Sequence, residues 1–116
     1  MSQGEHNHQM DYVEFPASDI DATKRFYSSV LGWNFTDYGP EYTSFHDGRL
    51  AGGFTLAAKP GRGGVLVVVY AKALEETRQK VIAAGGKIVV EPFEFPGGRR
   101  FHFTDPNGNE LAVWSE

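Results

Sequence analysis

Apolar residues recur along this chain in two rhythms, and the rhythms follow each other in a fixed order. Steps of two mark strands; steps of three and four mark the buried stripe of a helix. Asp11 to Phe15 alternates and is ended by Pro16, which predicts a strand. Ser18 with Asp21 then resembles a capping box, and Ala22, Phe26, Tyr27, Val30 and Leu31 form one helical face. Gly32 is the expected stop. Strands are predicted over Trp33 to Tyr38, Tyr42 to His46 and Leu50 to Ala57, with Asp47-Gly48 as a hairpin turn. The last of these contains Gly52-Gly53, and a glycine pair inside a strand signals a bulge or a close approach by something else.

Lys59 to Gly64 is rich in residues that end regular structure, and the same order then begins again. Val65 to Tyr70 is a nearly continuous apolar run, expected to be covered on both faces. A second helix is predicted from about Ala73, with Leu74, Thr77, Val81, Ile82 and Ala84 inward and Gly85-Gly86 as its end. Lys87 to Val90 reads as a strand and Glu91 to Gly98 as an irregular, proline-containing loop. The final hairpin has Phe101 and Phe103 before the turn Asp105-Pro106-Asn107-Gly108, and Leu111 and Val113 after it.

The fold class expected is therefore α+β, built from two tandem βαβββ modules at residues 11–58 and 65–116. Residues 59–64 link them, and residues 1–10 form a polar tail expected to be disordered, in which His6 and His8 read as incidental. One helix cannot cover both faces of a four-stranded sheet, so the two sheets should curve together into a cup with the helices outside.

Composition narrows the class. At 116 residues and 41% hydrophobic content the chain supports one core. A net charge of −4, with no basic cluster longer than Arg99-Arg100, argues against a nucleic-acid surface. No apolar run approaches ~20 residues, so a soluble, unprocessed protein is expected, with no membrane partner. The absence of cysteine removes thiol chemistry and is compatible with the cytoplasm, the expected location.

Two runs carry a family resemblance. Glu14-Phe-Pro-Ala-Ser-Asp-Ile-Asp21 with Arg25-Phe-Tyr-Ser-Ser-Val-Leu-Gly-Trp33 resembles the first module of the glyoxalase/bleomycin resistance/dioxygenase superfamily, also called vicinal oxygen chelate. Ala83-Ala-Gly-Gly-Lys87 and Asp105-Pro-Asn-Gly-Asn-Glu-Leu111 resemble its second. Within it, the chain most resembles bacterial proteins related to lactoylglutathione lyase. The resemblance implies a cup in each pseudo-symmetric unit and often a homodimer. In metal-dependent members it implies a divalent ion (nickel, zinc, iron or manganese) held by His, Glu or Gln of both modules. Those positions fall here on Tyr12, at or beside Gly52, on Val65 or Leu66, and on Ala112. Glycine and apolar side chains cannot ligate a divalent ion, and a neutral phenol is a poor substitute. No metal or other cofactor is therefore expected.

By strand alternation Tyr12 and Glu14 share a face, as do Glu110, Ala112 and Trp114. If the family's ligand face is the cup face, these line it together with Leu66 and Val68. Tyr12, Glu14, Leu66, Val68, Glu110 and Trp114 are the candidate ligand-binding residues, and Glu14, His46 and His102 the candidates for proton transfer. Which of the two histidines faces the cavity depends on a register that periodicity does not fix. Arg99 and Arg100 read as solvated, with an anion clamp at the rim as the alternative. Three functions are compatible with this pattern. The expected one is a metal-free member that binds a small apolar or aromatic molecule. The others are a glyoxalase-type lyase or isomerase, using a non-standard metal or a Glu/His acid–base pair, and an interaction module with a vestigial cup.

Overall fold

The computed structural model describes residues 4, 7, 8, 10–63 and 65–116. The chain runs through β1 (Tyr12–Pro16), α1 (Ile20–Leu31), β2 (Asn34–Asp37), β3 (Tyr42–His46) and β4 (Ala51–Thr55). It then repeats the plan in β5 (Val67–Tyr70), α2 (Leu74–Ala83), β6 (Lys87–Phe95), β7 (Gly98–Thr104) and β8 (Glu110–Ser115). The strands form two four-stranded sheets, ordered β1-β4-β3-β2 and β5-β8-β7-β6. In each, the first strand pairs parallel with the last and the other pairings are antiparallel. This is the α+β architecture of paired βαβββ modules that the periodicity predicts. The expected tail, including His6, falls largely outside the described residues, as does Gly64 of the linker.

The helices cover one face of each sheet because that face is aromatic or aliphatic. Tyr27 on α1 stacks on Trp33 at 4.7 Å, and Trp33 stacks on Phe45 at 4.4 Å. Phe15 stacks on Phe54 at 5.1 Å. Each such buried ring stabilises the fold by about 1.5–3 kcal/mol relative to its exposed state. Leu74 and Val81 of α2 are buried in the same core as Phe101, Phe103, Leu111 and Val113. Phe26 and Phe103, with ring centroids 5.9 Å apart, join the two halves.

Gly52 and Gly53 form no bulge: β4 keeps its register with both neighbours. The pair answers to close approach instead, one glycine on each face. A Cβ at Gly52 would collide with the Phe45 ring and the Val13 carbonyl, and one at Gly53 with the hydroxyls of Tyr42 and Tyr12.

The turn after β7 clasps the first module. Asp105 is 5% exposed, and its carboxylate accepts from the Tyr27 hydroxyl at 2.9 Å and from the N–H groups of Asn107 and Asn109. The Asn109 amide donates to the Pro16 carbonyl at 2.7 Å, and the Asn107 side-chain oxygen accepts from the Ser18 N–H at 2.8 Å. Burial holds the Asp105 carboxyl above its ordinary value, and these donors offset only part of that rise.

Five local expectations are corrected. The capping box at Ser18 does not form, because Ser18 is engaged by Asn107; Asp19 caps α1 by accepting from the Ala22 N–H at 3.0 Å. Glu91 to Phe95 continues β6 instead of forming a loop, with one register shift between Ile88 and Val90 and a second between Val90 and Phe93 that takes in Pro92, where a missing N–H is tolerated. β5 starts at Val67, so Val65 and Leu66 lie outside it. It is not covered on both faces: as an edge strand it leaves Val68 and Tyr70 exposed. On α2, Ile82 is exposed rather than inward.

Candidate ligand site

Alternation fixes which side chains leave the core. Phe15 and Phe54 face the helix, so Tyr12 and Glu14 project from the opposite, helix-free face of the first sheet. There Tyr42 donates to Glu14 at 2.9 Å, and its oxygen meets the Tyr12 hydroxyl at 2.5 Å. Tyr42 has one proton and gives it to Glu14, so Tyr12 is the donor in the second bond. Partial burial, then the bonds to Tyr12 and Glu14, push the Tyr42 hydroxyl well above the usual phenol range. This face is a closed network over Gly53, with its polar atoms paired.

The second sheet shows its helix-free face in rows. Val68, Ala112, His102 and Val90 lie side by side across β5, β8, β7 and β6. The next row is Tyr70, Trp114, Arg100 and Phe93. His102 is 9% exposed, and its Nδ1 lies 2.8 Å from Glu110 Oε2. A carboxylate only accepts, so Nδ1 carries the proton in this bond. Glu110 also accepts from Arg62 Nε at 2.9 Å. The bond from His102 first, and that from Arg62 second, holds the Glu110 carboxyl below its usual value.

Two cavities open on these surfaces. One, of about 340 Å³, lies at the seam between modules, where Glu14 of β1 and Glu110 of β8 meet Lys59 and Arg62 of the linker. The other, also about 340 Å³, is lined by Val68, Phe95, Pro96, Gly97, Arg100 and Trp114. It is the more aromatic of the two: Trp114 meets Tyr70 and Phe95 edge-on at 5.1 and 6.3 Å.

The structure thus sorts the sequence candidates into groups. Glu14 and Glu110 share the seam cavity, and Val68 and Trp114 share the aromatic one. Tyr12 is tied into the tyrosine network, and Leu66 lines neither cavity. His102 lies within the helix-free face, while His46 sits exposed at the end of β3, its Nδ1 accepting the Gly48 N–H. Arg100 is not the solvated residue expected, since its guanidinium lies over the rings of Phe93 and Phe95 at 5.3 and 5.6 Å. Sequence reasoning also missed Tyr42, Arg62 and Phe95 as parts of these surfaces. The signal for Arg100 was present: Phe101 and Phe103 in the core oblige Arg100 and His102 to face the other way.

The positions that would hold a metal in this fold do not fit one. Ala112 is fully buried between Val68 and His102, Gly52 has no side chain, Val65 and Leu66 are apolar, and the Tyr12 phenol is bonded to Tyr42. Among the described residues no three His, Cys, Asp or Glu side chains gather into a ligand set. Neither described helix is long and apolar enough to cross a membrane.

Fold, module pairing and sequence agree on one class. The chain belongs to the Glyoxalase/Bleomycin resistance protein/Dioxygenase superfamily, whose pattern matches residues 9–113. It is 31% identical over 111 residues to the anthracycline biosynthesis protein DauV of Streptomyces sp. strain C5, a match that spans 88% of this chain but 39% of DauV. Among solved structures, a glyoxalase-related enzyme from Fulvimarina pelagi superposes with a TM-score of 0.81 at 20% identity, over 94% of this chain and 88% of that one. The lactoylglutathione lyase of Agrobacterium tumefaciens superposes with a TM-score of 0.72 at 18% identity, over 93% of each chain. At these identities the structures speak for the fold alone.

Proposed function

We propose that this protein is a metal-free member of the superfamily that binds a small apolar or aromatic molecule on the helix-free face of its second sheet. The observation that carries the reading is the aromatic cavity around Trp114, Phe95 and Val68. It is an apolar, concave surface with a single charged group in its lining, the usual composition of a small-molecule site. The chemistry of the family's ligand positions supports the metal-free part, because Gly52, Val65 and Ala112 offer no donor.

Tryptophan fluorescence tests the reading directly. Trp33 is buried in the core and Trp114 lines the cavity, so an aromatic ligand should quench only the second. The expected result is saturable quenching that disappears in Trp114→Phe, with a matching rise in Tm. Stoichiometric binding of nickel or zinc with no response to any aromatic compound would overturn it.

One observation favours a second reading, a glyoxalase-type lyase or isomerase. The bond between Glu110 and His102 has the form of an acid–base pair with an oriented imidazole. Glu14 and His46 are weaker candidates, since Glu14 accepts from Tyr42 and His46 serves its own turn. A second copy of the chain is the macromolecular partner we propose, and the lack of cysteine suits the cytoplasm proposed for it.

A further inference from the structure

We infer that the aromatic cavity selects a planar aromatic anion, with Arg100 as the residue that recognises its charge; this rests on the small-molecule reading above and names the ligand class. Arg100 is the only charged residue among those lining the cavity. Among the described residues its guanidinium meets two phenylalanine rings and no carboxylate. The acids nearby are engaged elsewhere: Glu110 by His102 and Arg62, Glu116 by Tyr70, Glu91 by Arg78. Glu94, next to Phe93 in β6, is in register with Arg99 instead. Arg100 Nε is moreover buried with no hydrogen-bond partner. A buried donor without an acceptor is costly, and in a native fold such a group asks for an explanation. A carboxylate or phenolate entering beside Trp114 supplies the acceptor, and the planar guanidinium fork matches its two oxygens.

A second orphan extends the site. His102 Nε2 is also buried and unpartnered, one row along the same face. The ring that spans both residues is Phe93, 5.3 Å from the Arg100 guanidinium and 6.0 Å from the His102 ring. Phe93 is 37% exposed, so it has room to turn outward. Its rotation joins His102 Nε2 to the cavity, where that nitrogen meets a hydroxyl on the far side of the ligand. The ligand class is therefore a hydroxylated aromatic acid rather than a neutral hydrocarbon.

The test uses naphthoate, its neutral naphthamide and a hydroxynaphthoate, titrated against the full chain by calorimetry and Trp114 fluorescence. Naphthoate should bind about tenfold more tightly than naphthamide, the scale of one charge-assisted pair. Arg100→Gln should bring the two ligands level, while Arg100→Lys keeps part of the preference. The hydroxyl should tighten binding to the native chain but not to His102→Phe. Circular dichroism and melting curves establish that each variant is folded. Equal affinity of the native protein for naphthoate and naphthamide, or a preference that survives Arg100→Gln, overturns the inference and leaves aromatic binding standing. No response to any of the three compounds overturns the small-molecule reading as well.

Discussion

The two halves of the molecule use the same helix in the same way up to a point. Thr23 in α1 and Thr77 in α2 each donate their hydroxyl to the carbonyl of the residue that precedes the helix, Asp19 and Ala73. One residue on, Lys24 and Arg78 each pair with an acid three residues back and with one on the next strand, Asp37 on β2 and Glu91 on β6. Beyond that the halves diverge. α1 is capped at both ends, by Asp19 and by Gly32 at φ 72°, whereas Ala73 gives α2 no side-chain cap. Tyr27 carries a hydroxyl to Asp105, while Val81, buried in α2, has none to give. The helix-free face of the first sheet has a closed tyrosine–glutamate network, and that of the second holds two orphaned nitrogens. What the halves share is scaffold; what they do not share is the joint between them and the candidate site.

Substitutions can break this comparison at points of decreasing weight. Gly52→Ala should do the most damage, about 3 kcal/mol in a denaturant titration, because the added methyl meets both a packed ring and a backbone carbonyl. Gly53→Ala, directly beside it, meets the far ends of two tyrosine side chains and no backbone among its nearest atoms, and should cost clearly less while breaking the Tyr12–Tyr42 bond. Next is Asp105→Asn, which replaces the oxygen that accepts from Tyr27 with an amide donor, for an expected loss of about 2 kcal/mol. Asp19→Ala should cost about 1 kcal/mol, and Ala73→Asp should return a similar amount to α2.

The smallest effect is a difference in acid response. The folded value of Asp105 is raised, so the stability it contributes is fully present below its unfolded value and lost as pH rises through the folded one. Glu110 is lowered, so its contribution is present above its unfolded value and lost as pH falls through the folded one. The two therefore oppose each other in the acid range. Glu110→Gln should leave a protein whose melting temperature falls less on acidification than that of the native chain, and Asp105→Asn one whose melting temperature falls more. Melting curves across acidic buffers check both signs.

Much of this fold was legible because its signals are local. Alternation at Phe101 and Phe103, the helical stripe of Phe26, Tyr27 and Val30, and the Gly52-Gly53 pair each state a requirement within a few residues. Pro92 misled, since a proline that ends most strands is tolerated where a bulge leaves no partner for the missing N–H. The capping of α1 was misread because the competitor for Ser18, Asn107, is 89 residues away. The same limit hid the site. That Arg100 faces away from the core follows from its neighbours, but that no acid among the described residues meets it there depends on where Glu91, Glu94, Glu110 and Glu116 turn in space. Side-chain partnership across strands is a property of the packed sheet.

The clasp at Asp105 also sets a schedule for how the chain is made. Its bonds to Tyr27, Ser18 and Pro16 bridge 78, 89 and 93 positions, so they form only after the last hairpin of the second module has left the ribosome. Until then the start of α1 and the buried Tyr27 hydroxyl wait without their final partners. Contacts of such long range slow folding and prolong the exposure of apolar surface. The first half is synthesised first but completed last, by the final dozen residues of the second.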